Sequence, residues 1–367
     1  EHDSGPKRSL SLPSHGAGRS NFISSQEERV SLLFMKTLVS RGSVDAVSQQ
    51  MASHPQYLES FLRTQHYILH MDGPLPLPYR HYIAIMAAAR YHCSYLVCLH
   101  SAQFLRAGGD PLWLQSLEAA PPRLRLLDHI NKVLAHQPWL AAGSHIQSLL
   151  KAGEQCWSLA ELVQAVVILA HCHSLCSFVF GCDTDSDLAH LAKSPNVTPP
   201  TFYEEEMLCF ADPSRFITDP DFCYQEFARR DEDHLQVLRV QDYSWEVHGF
   251  SLINRLYSDI GHLLDDRFRS VTSLPSLHSS DLKRAIWNYI HYVLGIRYDD
   301  YDYVEVNQLL ERDLKLYIKA VACFPDEKLC LLLFFCPQIH VNLLIMEARL
   351  QAELLYAMRA ITRYMIA

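Results

Sequence analysis

Arg80-His-Tyr-Ile-Ala-Ile-Met-Ala-Ala-Ala-Arg-Tyr-His-Cys-Ser-Tyr-Leu-Val-Cys-Leu-His-Ser-Ala-Gln-Phe-Leu105 is the stretch that decides the fold. It contains no proline or glycine, and its alanines and leucines favour helix. Cys93 and His100 are seven residues apart. That is close to two helical turns, so on one continuous helix both side chains leave the same face. Ala89, Leu96 and Val97 fall on that face too and predict a mostly apolar pocket wall. A thiol with an imidazole two turns away and the phenol of Tyr95 nearby is a set that can reduce a peroxide. The thiolate is the nucleophile, and a neighbouring base or positive charge must bring its pKa below the usual value of about 8.5. The same residues also suit plain core packing, because cysteine is among the most buried residue types. Cys98 lies about 140° around the helix from Cys93, poorly placed for a disulfide with it.

Composition narrows the class. The 367 residues are 49% apolar and carry a net charge of −9. An acidic chain lacks the basic face that nucleic-acid binding needs. Eleven cysteines, scattered and often flanked by apolar residues, form no disulfide framework and predict a reducing compartment. Residues 1–20 are polar and rich in Ser, Gly and Pro, which predicts a disordered tail. The longest uninterrupted apolar run, Leu329 to Cys336, is far shorter than the roughly twenty residues that span a bilayer.

Along the chain the helical pattern recurs and alternating strand patterns do not, so the predicted fold is all-α. Glu27 to Leu38, Leu124 to Leu134, Trp245 to Leu264, Asp281 to Leu294, Val306 to Val321 and Val341 to Met365 all have helical periodicity. Trp157 to Cys176 is a second apolar helix, opened by a Ser158/Glu161 capping box. It leads to His171-Cys172 as the first stretch leads to His92-Cys93, an internal echo. Cys172 and Cys176 share a face with His173 close by, but no second cluster has zinc spacing, so these read as packed thiols rather than a metal site. Lys193 to Asp242 is rich in proline and charge and reads as a linker crossing the surface. The acidic, aromatic run Tyr298-Asp-Asp-Tyr-Asp-Tyr303 is either a plain exposed turn or a recognition patch.

Longer motifs add a family. Tyr91-His-Cys-Ser-Tyr-Leu-Val-Cys-Leu-His-Ser101, Gly295-Ile-Arg-Tyr-Asp-Asp-Tyr-Asp-Tyr303, Asn307-Gln-Leu-Leu-Glu-Arg-Asp-Leu-Lys315 and Glu347-Ala-Arg349 with Arg359-Ala-Ile-Thr-Arg-Tyr-Met365 resemble the sestrin family. The resemblance runs from about Ser25 to the end of the chain. It implies two pseudo-duplicated helical bundles of the alkylhydroperoxidase AhpD type: an N-terminal domain at 21–188 and a C-terminal domain at 243–367, joined by a partly ordered helical linker at 189–242. It also implies a stress-induced cytoplasmic protein. For the N-terminal half the family implies alkylhydroperoxide reduction through Cys93, with Tyr95 and His100 relaying protons. AhpD enzymes carry Cys-x-x-Cys, whereas Cys93 and Cys98 are further apart, so an external thiol would complete the cycle.

For the C-terminal half the resemblance implies a leucine sensor. It would inhibit the GATOR2 complex, and so the mTORC1 kinase, until leucine releases it. Leucine needs a carboxylate for its ammonium, a cation for its carboxylate and an apolar cup. By position the family's carboxylate-binding arginine falls on Lys283, with Arg284 beside it; Leu282 and His54 match the pocket wall, and Ser279 matches a lid threonine. Asp299 and Asp300 match the GATOR2-contacting acidic pair, and Ser158 a second contact position. This chain has only Thr272 between Val271 and Ser280, where the family has a threonine-rich lid. Between Pro325 and His340 it has no tryptophan, and Glu327 is the only glutamate. No cofactor, metal, nucleic acid or membrane insertion is implied. The alternatives are a protein that is primarily a thiol peroxidase, or a non-catalytic helical scaffold.

Overall fold

The computed structural model describes residues 17–41, 44–184, 212–226, 237–275, 279–326 and 339–367. These are overwhelmingly helical, and the fold is all-α. The chain divides into two units, Glu1–Glu59 and Ser60–Ala367.

In the shorter unit, helix α1 (Ala17–Arg41) begins inside the predicted tail. Arg29 pairs with Glu59. The short turn Ala46–Gln50 is capped by Asp45, whose carboxylate accepts from Ser48 N at 2.8 Å. Met51–Ser53 makes a further turn that ends at His54, which is half-buried.

The longer unit is built on two long helices. Counting onward, the elements are α2 (Pro55–Leu69), whose first turn belongs to the shorter unit, α3 (Leu77–Ala89), α4 (Ser94–Arg106), α5 (Asp128–His136), α6 (Gly143–Leu150) and α7 (Leu159–Gly181). They continue with α8 (Phe250–Leu256), α9 (Ile260–Thr272), α10 (Ser280–Val293), α11 (Tyr303–Leu309), α12 (Arg312–Cys323) and α13 (Ile339–Ile366). Helices α7 and α13 pack along each other; α3 and α5 lie on α7, while α6, α9 and α10 lie on α13. Leu238–Arg239 and Ile296–Arg297 form a two-residue parallel bridge. Helix α7 is long and apolar enough to cross a membrane, with a mean hydropathy of 1.8, yet that whole window is buried inside the protein. Its apolar residues are interrupted by His171, His173 and small polar groups, which is why no long unbroken run marks it in the sequence.

Several predicted helices are each two. The quoted stretch is α3, a turn, and α4. Helix α3 closes by a C-terminal cap in which Cys93 N donates to Ala88 O at 3.2 Å while His92 adopts φ +48°. That left-handed site usually holds glycine; here a histidine occupies it, so the sequence carries no breaker. Cys93 is therefore the N-cap of α4 rather than a mid-helix residue, and Ala89 belongs to the preceding helix. Asp259 at φ +66° likewise ends the run from Trp245 to Leu264 before α9. Leu310 and Glu311 separate α11 from α12. Ser158 and Glu161 do form the capping box of α7.

Inside the α7–α13 contact lies a set of buried charges. Arg267 on α9 donates from Nε at 2.9 Å and from Nη2 at 2.5 Å to Glu347 Oε1, with both side chains fully buried. Its Nη1 donates to His171 Nδ1 at 3.1 Å. Arg349 donates to Glu353 at 2.9 Å, to Ala135 O at 2.8 Å, to Ala322 O and to the Tyr91 hydroxyl. Ala135 and Ala322 sit in the last turns of α5 and α12, where unpaired carbonyls and the helix dipole favour a cation. His173 Nδ1 is 2.8 Å from Glu353, and its Nε2 is 2.8 Å from Asn131 Oδ1. Asn131 uses its amide to donate to Met86 O, so its oxygen faces the ring and Nε2 carries a hydrogen. Burial lowers the pKa of the His173 imidazole, and the neighbouring Glu353 works against that shift. At the far end the Asn342 side chain packs against Gly181, where a Cβ would lie 2.7 Å from Asn342 Oδ1.

Removing one partner from such a network leaves an uncompensated buried charge. Arg349→Ala is expected to lower unfolding free energy by about 3–5 kcal/mol, read by urea denaturation. A loss under about 1 kcal/mol would mean that Glu353 is held by something else.

A second effect is pH-dependent. His291 on α10 donates from Nε2 to Ala348 O at 3.1 Å and accepts at Nδ1 from the Tyr298 hydroxyl at 2.8 Å. Burial lowers its pKa from 6.5 to about 4. The fold holds the neutral ring, so the unfolded chain binds the extra proton first. Its contribution is complete above pH 6.5 and is lost as pH falls towards 4, a change of about 3 kcal/mol. His291→Gln, which keeps a donor and an acceptor, is expected to flatten that part of the stability–pH curve.

Candidate functional site

The first predicted group lies at the junction of α3 and α4. Cys93 is fully buried as the N-cap of α4, and its carbonyl accepts from Val97 N at 3.1 Å. The N-terminal end of a helix favours a thiolate. Tyr95, in the first turn, is half-buried. His100 is 3% exposed, and two turns on lies about 10 Å along the axis. Its Nδ1 stands 3.4 Å from Nδ1 of His81 on α3. One helix thus carries all three predicted residues, and the neighbouring helix adds a second imidazole that sequence reasoning passed over. Nothing in the residue pattern marks His81, because only the pairing of α3 with α4 brings it to His100.

Two other thiols lie in the same part of the core. Burial first, and then the nearby Cys93, push the Cys172 thiol well above the usual range. Burial alone raises Cys98. Both are therefore held protonated at neutral pH. On α7, His171 and His173 are engaged with Arg267 and with Glu353 and Asn131.

Arg90, in the turn before Cys93, is a further residue missed from sequence. It donates to Thr218 O at 2.7 Å and to Phe222 O at 2.8 Å. Gln137 adds a bond to Cys223 O at 2.8 Å, and Lys132 pairs with Asp219 at 2.9 Å. Residues 212–226, the described part of the predicted linker, are thereby strapped across α5 and the α3–α4 turn. The acidic run at 204–206 and the charged run at 229–233 lie outside the described residues.

The second predicted group sits at the start of α10. Ser279 is its N-cap and accepts from Leu282 N at 3.2 Å. Leu282 and Lys283 are half-buried. Lys283 Nζ donates to Thr272 O at 3.2 Å and to Leu274 O at 2.5 Å, closing the C-terminal end of α9. Arg284 turns the other way and pairs with Glu305 at 3.1 Å and Asp281 at 3.6 Å. His54 belongs to the shorter unit and is described there by itself; burial lowers its pKa. Glu327 and the rest of 327–338 lie outside the described residues, as do 276–278 of the lid loop.

The third group is the acidic loop. Asp299 and Asp300 are both exposed, with Asp299 held by Arg239 at 3.1 Å. Tyr301 stacks on Tyr292, and Tyr298 is anchored on His291. An open cleft of about 70 Å³ is lined by Arg284, Asn288, Asp300, Glu305 and Val306 among others, so a residue of the second group and one of the third share a wall. Ser158 lies apart on α7, exposed, with its hydroxyl and amide committed to Glu161. Among the described residues, no three His, Cys, Asp or Glu side chains are grouped to hold a metal ion.

Comparison with known proteins places this geometry in context. The family described as PA26 p53-induced protein (sestrin) matches residues 20–202 and 190–365. Mouse Sestrin-3 is 45% identical, covering 92% of this chain and 89% of the relative. Human Sestrin-2 is 46% identical over 91% of this chain and 86% of its own length. Mouse Sestrin-1 is 44% identical over 94% and 88%. With the all-α fold and the α3–α4 turn carrying Tyr91 to Ser101, the chain belongs to the sestrin family.

Proposed function

We propose that this protein is a stress-induced, cytoplasmic, leucine-responsive regulator: it docks on GATOR2 and so restrains mTORC1 until leucine binds and releases it. The observation that carries this reading is the shared cleft. Arg284 sits on the helix that would receive leucine, and Asp300 sits on the loop that would meet the partner. A ligand that moves the start of α10 thus has a direct route to the acidic loop. The exposed aspartates, ringed by anchored tyrosines, are the sort of rigid polar patch that a partner reads through charge. Lys283 supplies the ligand's cation, and the apolar cup would come from Leu282 and its neighbours.

The test has two arms. Asp299→Ala/Asp300→Ala in the full chain is expected to weaken GATOR2 capture by about thirtyfold, about 2 kcal/mol. Calorimetry with leucine, isoleucine and arginine should give heat with leucine, lost in Lys283→Ala. Unchanged capture, or no leucine heat in the unaltered chain, refutes the corresponding half.

A second reading, alkylhydroperoxide reduction, is favoured by the placement of Cys93 at the N-terminus of α4, a helix that also carries His100, itself paired with His81 of α3. Brief exposure to cumene hydroperoxide followed by sulfenic-acid trapping should mark Cys93 first. Equal marking of Cys93 and Cys172 would remove this reading.

A further inference from the structure

The strap at 212–226 touches two distant parts of the fold. Most of it is fixed to the N-terminal half. Arg90, in the α3–α4 turn, donates to the carbonyls of Thr218 and Phe222 at 2.7 and 2.8 Å. Lys132 of α5 pairs with Asp219, and its Nζ lies 5.3 Å from the Phe222 ring centre. Phe216 is fully buried and stands edge-on to Tyr82 of α3. Gln137, just after α5, holds the carbonyl of Cys223 at 2.8 Å. The next residue, Tyr224, crosses to the C-terminal half. Its ring stands edge-on to Trp139 and has its centre 6.1 Å from that of Phe324. Its hydroxyl donates to Val293 O at 2.9 Å. Two residues on, Glu226 pairs with Lys319 of α12.

Val293 is the last residue of α10. The final carbonyls of a helix have no intrahelical donor and need one from outside. Here two phenols supply it: Tyr224 on Val293 O, and Tyr356 of α13 on Leu294 O at 2.8 Å. Burial, and then the neighbouring Cys323 thiol, keep the Tyr224 phenol protonated and so a donor. Immediately beyond, Gly295 at φ +80° turns the chain, Ile296–Arg297 bridge to Leu238–Arg239, and the acidic loop begins.

We propose that Tyr224 is a positioning residue for the acidic loop: by capping α10 it fixes where Asp299 and Asp300 leave the core, and the strap refers that position to the α3–α4 turn. The geometry stands by itself; its use rests on the docking reading above. A loop already held in place binds more tightly than a loose one, because its ordering is not charged against the complex. The loop has other holds, from Tyr356 of α13 and from Arg239, which pairs with Asp299. The strap adds the hold that runs through Arg90, so a shift of the α3–α4 turn is transmitted to the carbonyl that ends α10.

Tyr224→Phe removes one oxygen and keeps the ring. In the full chain, amide hydrogen exchange at 295–303 should speed up by about tenfold, with α7 and α13 unchanged. GATOR2 capture should weaken by about tenfold. Unchanged exchange at 295–303 overturns the proposal. So does faster exchange spread equally through α7 and α13, which marks Tyr224 as a general support of the core. Arg90→Gln is neutral and too short to hold both carbonyls. It should also loosen 295–303, and add nothing further when combined with Tyr224→Phe. An effect confined to 212–226, or one that adds in full to that of Tyr224→Phe, overturns the link to the α3–α4 turn. If Asp299→Ala/Asp300→Ala leaves capture unchanged, the docking reading falls, while exchange at 295–303 still decides whether Tyr224 sets the loop. If that pair weakens capture and Tyr224→Phe does not, the positioning role falls and the docking reading stands.

Discussion

A carboxylate and a guanidinium sealed together inside a helical core constrain everything around them. Arg267 with Glu347 and Arg349 with Glu353 are such pairs, each with both partners essentially unexposed. Taking four charges out of water costs several kcal/mol per ion after relaxation. The cost is tolerable only where geometry is fixed and the remaining donors and acceptors are filled. Here His171, His173, Asn131 and the carbonyls of Ala135 and Ala322 fill several of them. Through His171 and His173 on α7, which meet Arg267 and Glu353, the pairs tie the register of α9 and α13 to α7. A one-residue slip would point the carboxylates at aliphatic side chains.

That register reaches the thiol. Arg349 bonds to the Tyr91 hydroxyl two residues before Cys93, and its guanidinium lies 4.7 Å from the Tyr91 ring centre. His173 acts through Asn131 on Met86 O, in the helix that leads to the same turn. The α3–α4 turn is thus held from the C-terminal helix, from α7 and, through Arg90, from the strap at 212–226. Helices from both predicted halves take part in fixing one turn.

The sequence made the all-α fold readable, since helical periodicity is a local property and the apolar faces repeat at the right interval. It also marked the Ser158/Glu161 cap and the glycine that ends α10, where φ is +80°. It did not reveal the break at His92, because the residue in the left-handed position is not glycine. The same holds at Asp259. It did not reveal His81 or Arg90 as site residues either. Their partners, His100 and the Thr218 and Phe222 carbonyls, are up to 132 residues away, and a pairing of that kind exists only once helices pack. The spacing of Cys93 and His100 placed both on α4, but for a reason different from the one first given: one caps the helix and the other lies two turns along it.

The same distinction governs Lys283. A lysine ammonium is a compact charge with three donors and suits converging carbonyls, whereas a guanidinium presents a planar fork suited to a carboxylate. Lys283 meets the carbonyls of Thr272 and Leu274 and so ties the start of α10 to the end of α9. Arg284 meets carboxylates and so ties the same helix to α11. Adjacent cations on one helical turn are thereby divided between two jobs by the geometry of their head groups. A carboxylate arriving at the start of α10 would compete with backbone carbonyls for the lysine, a softer contest than displacing an ion pair. The balance between those two attachments determines how freely α10 can shift against the loop that holds Asp299 and Asp300.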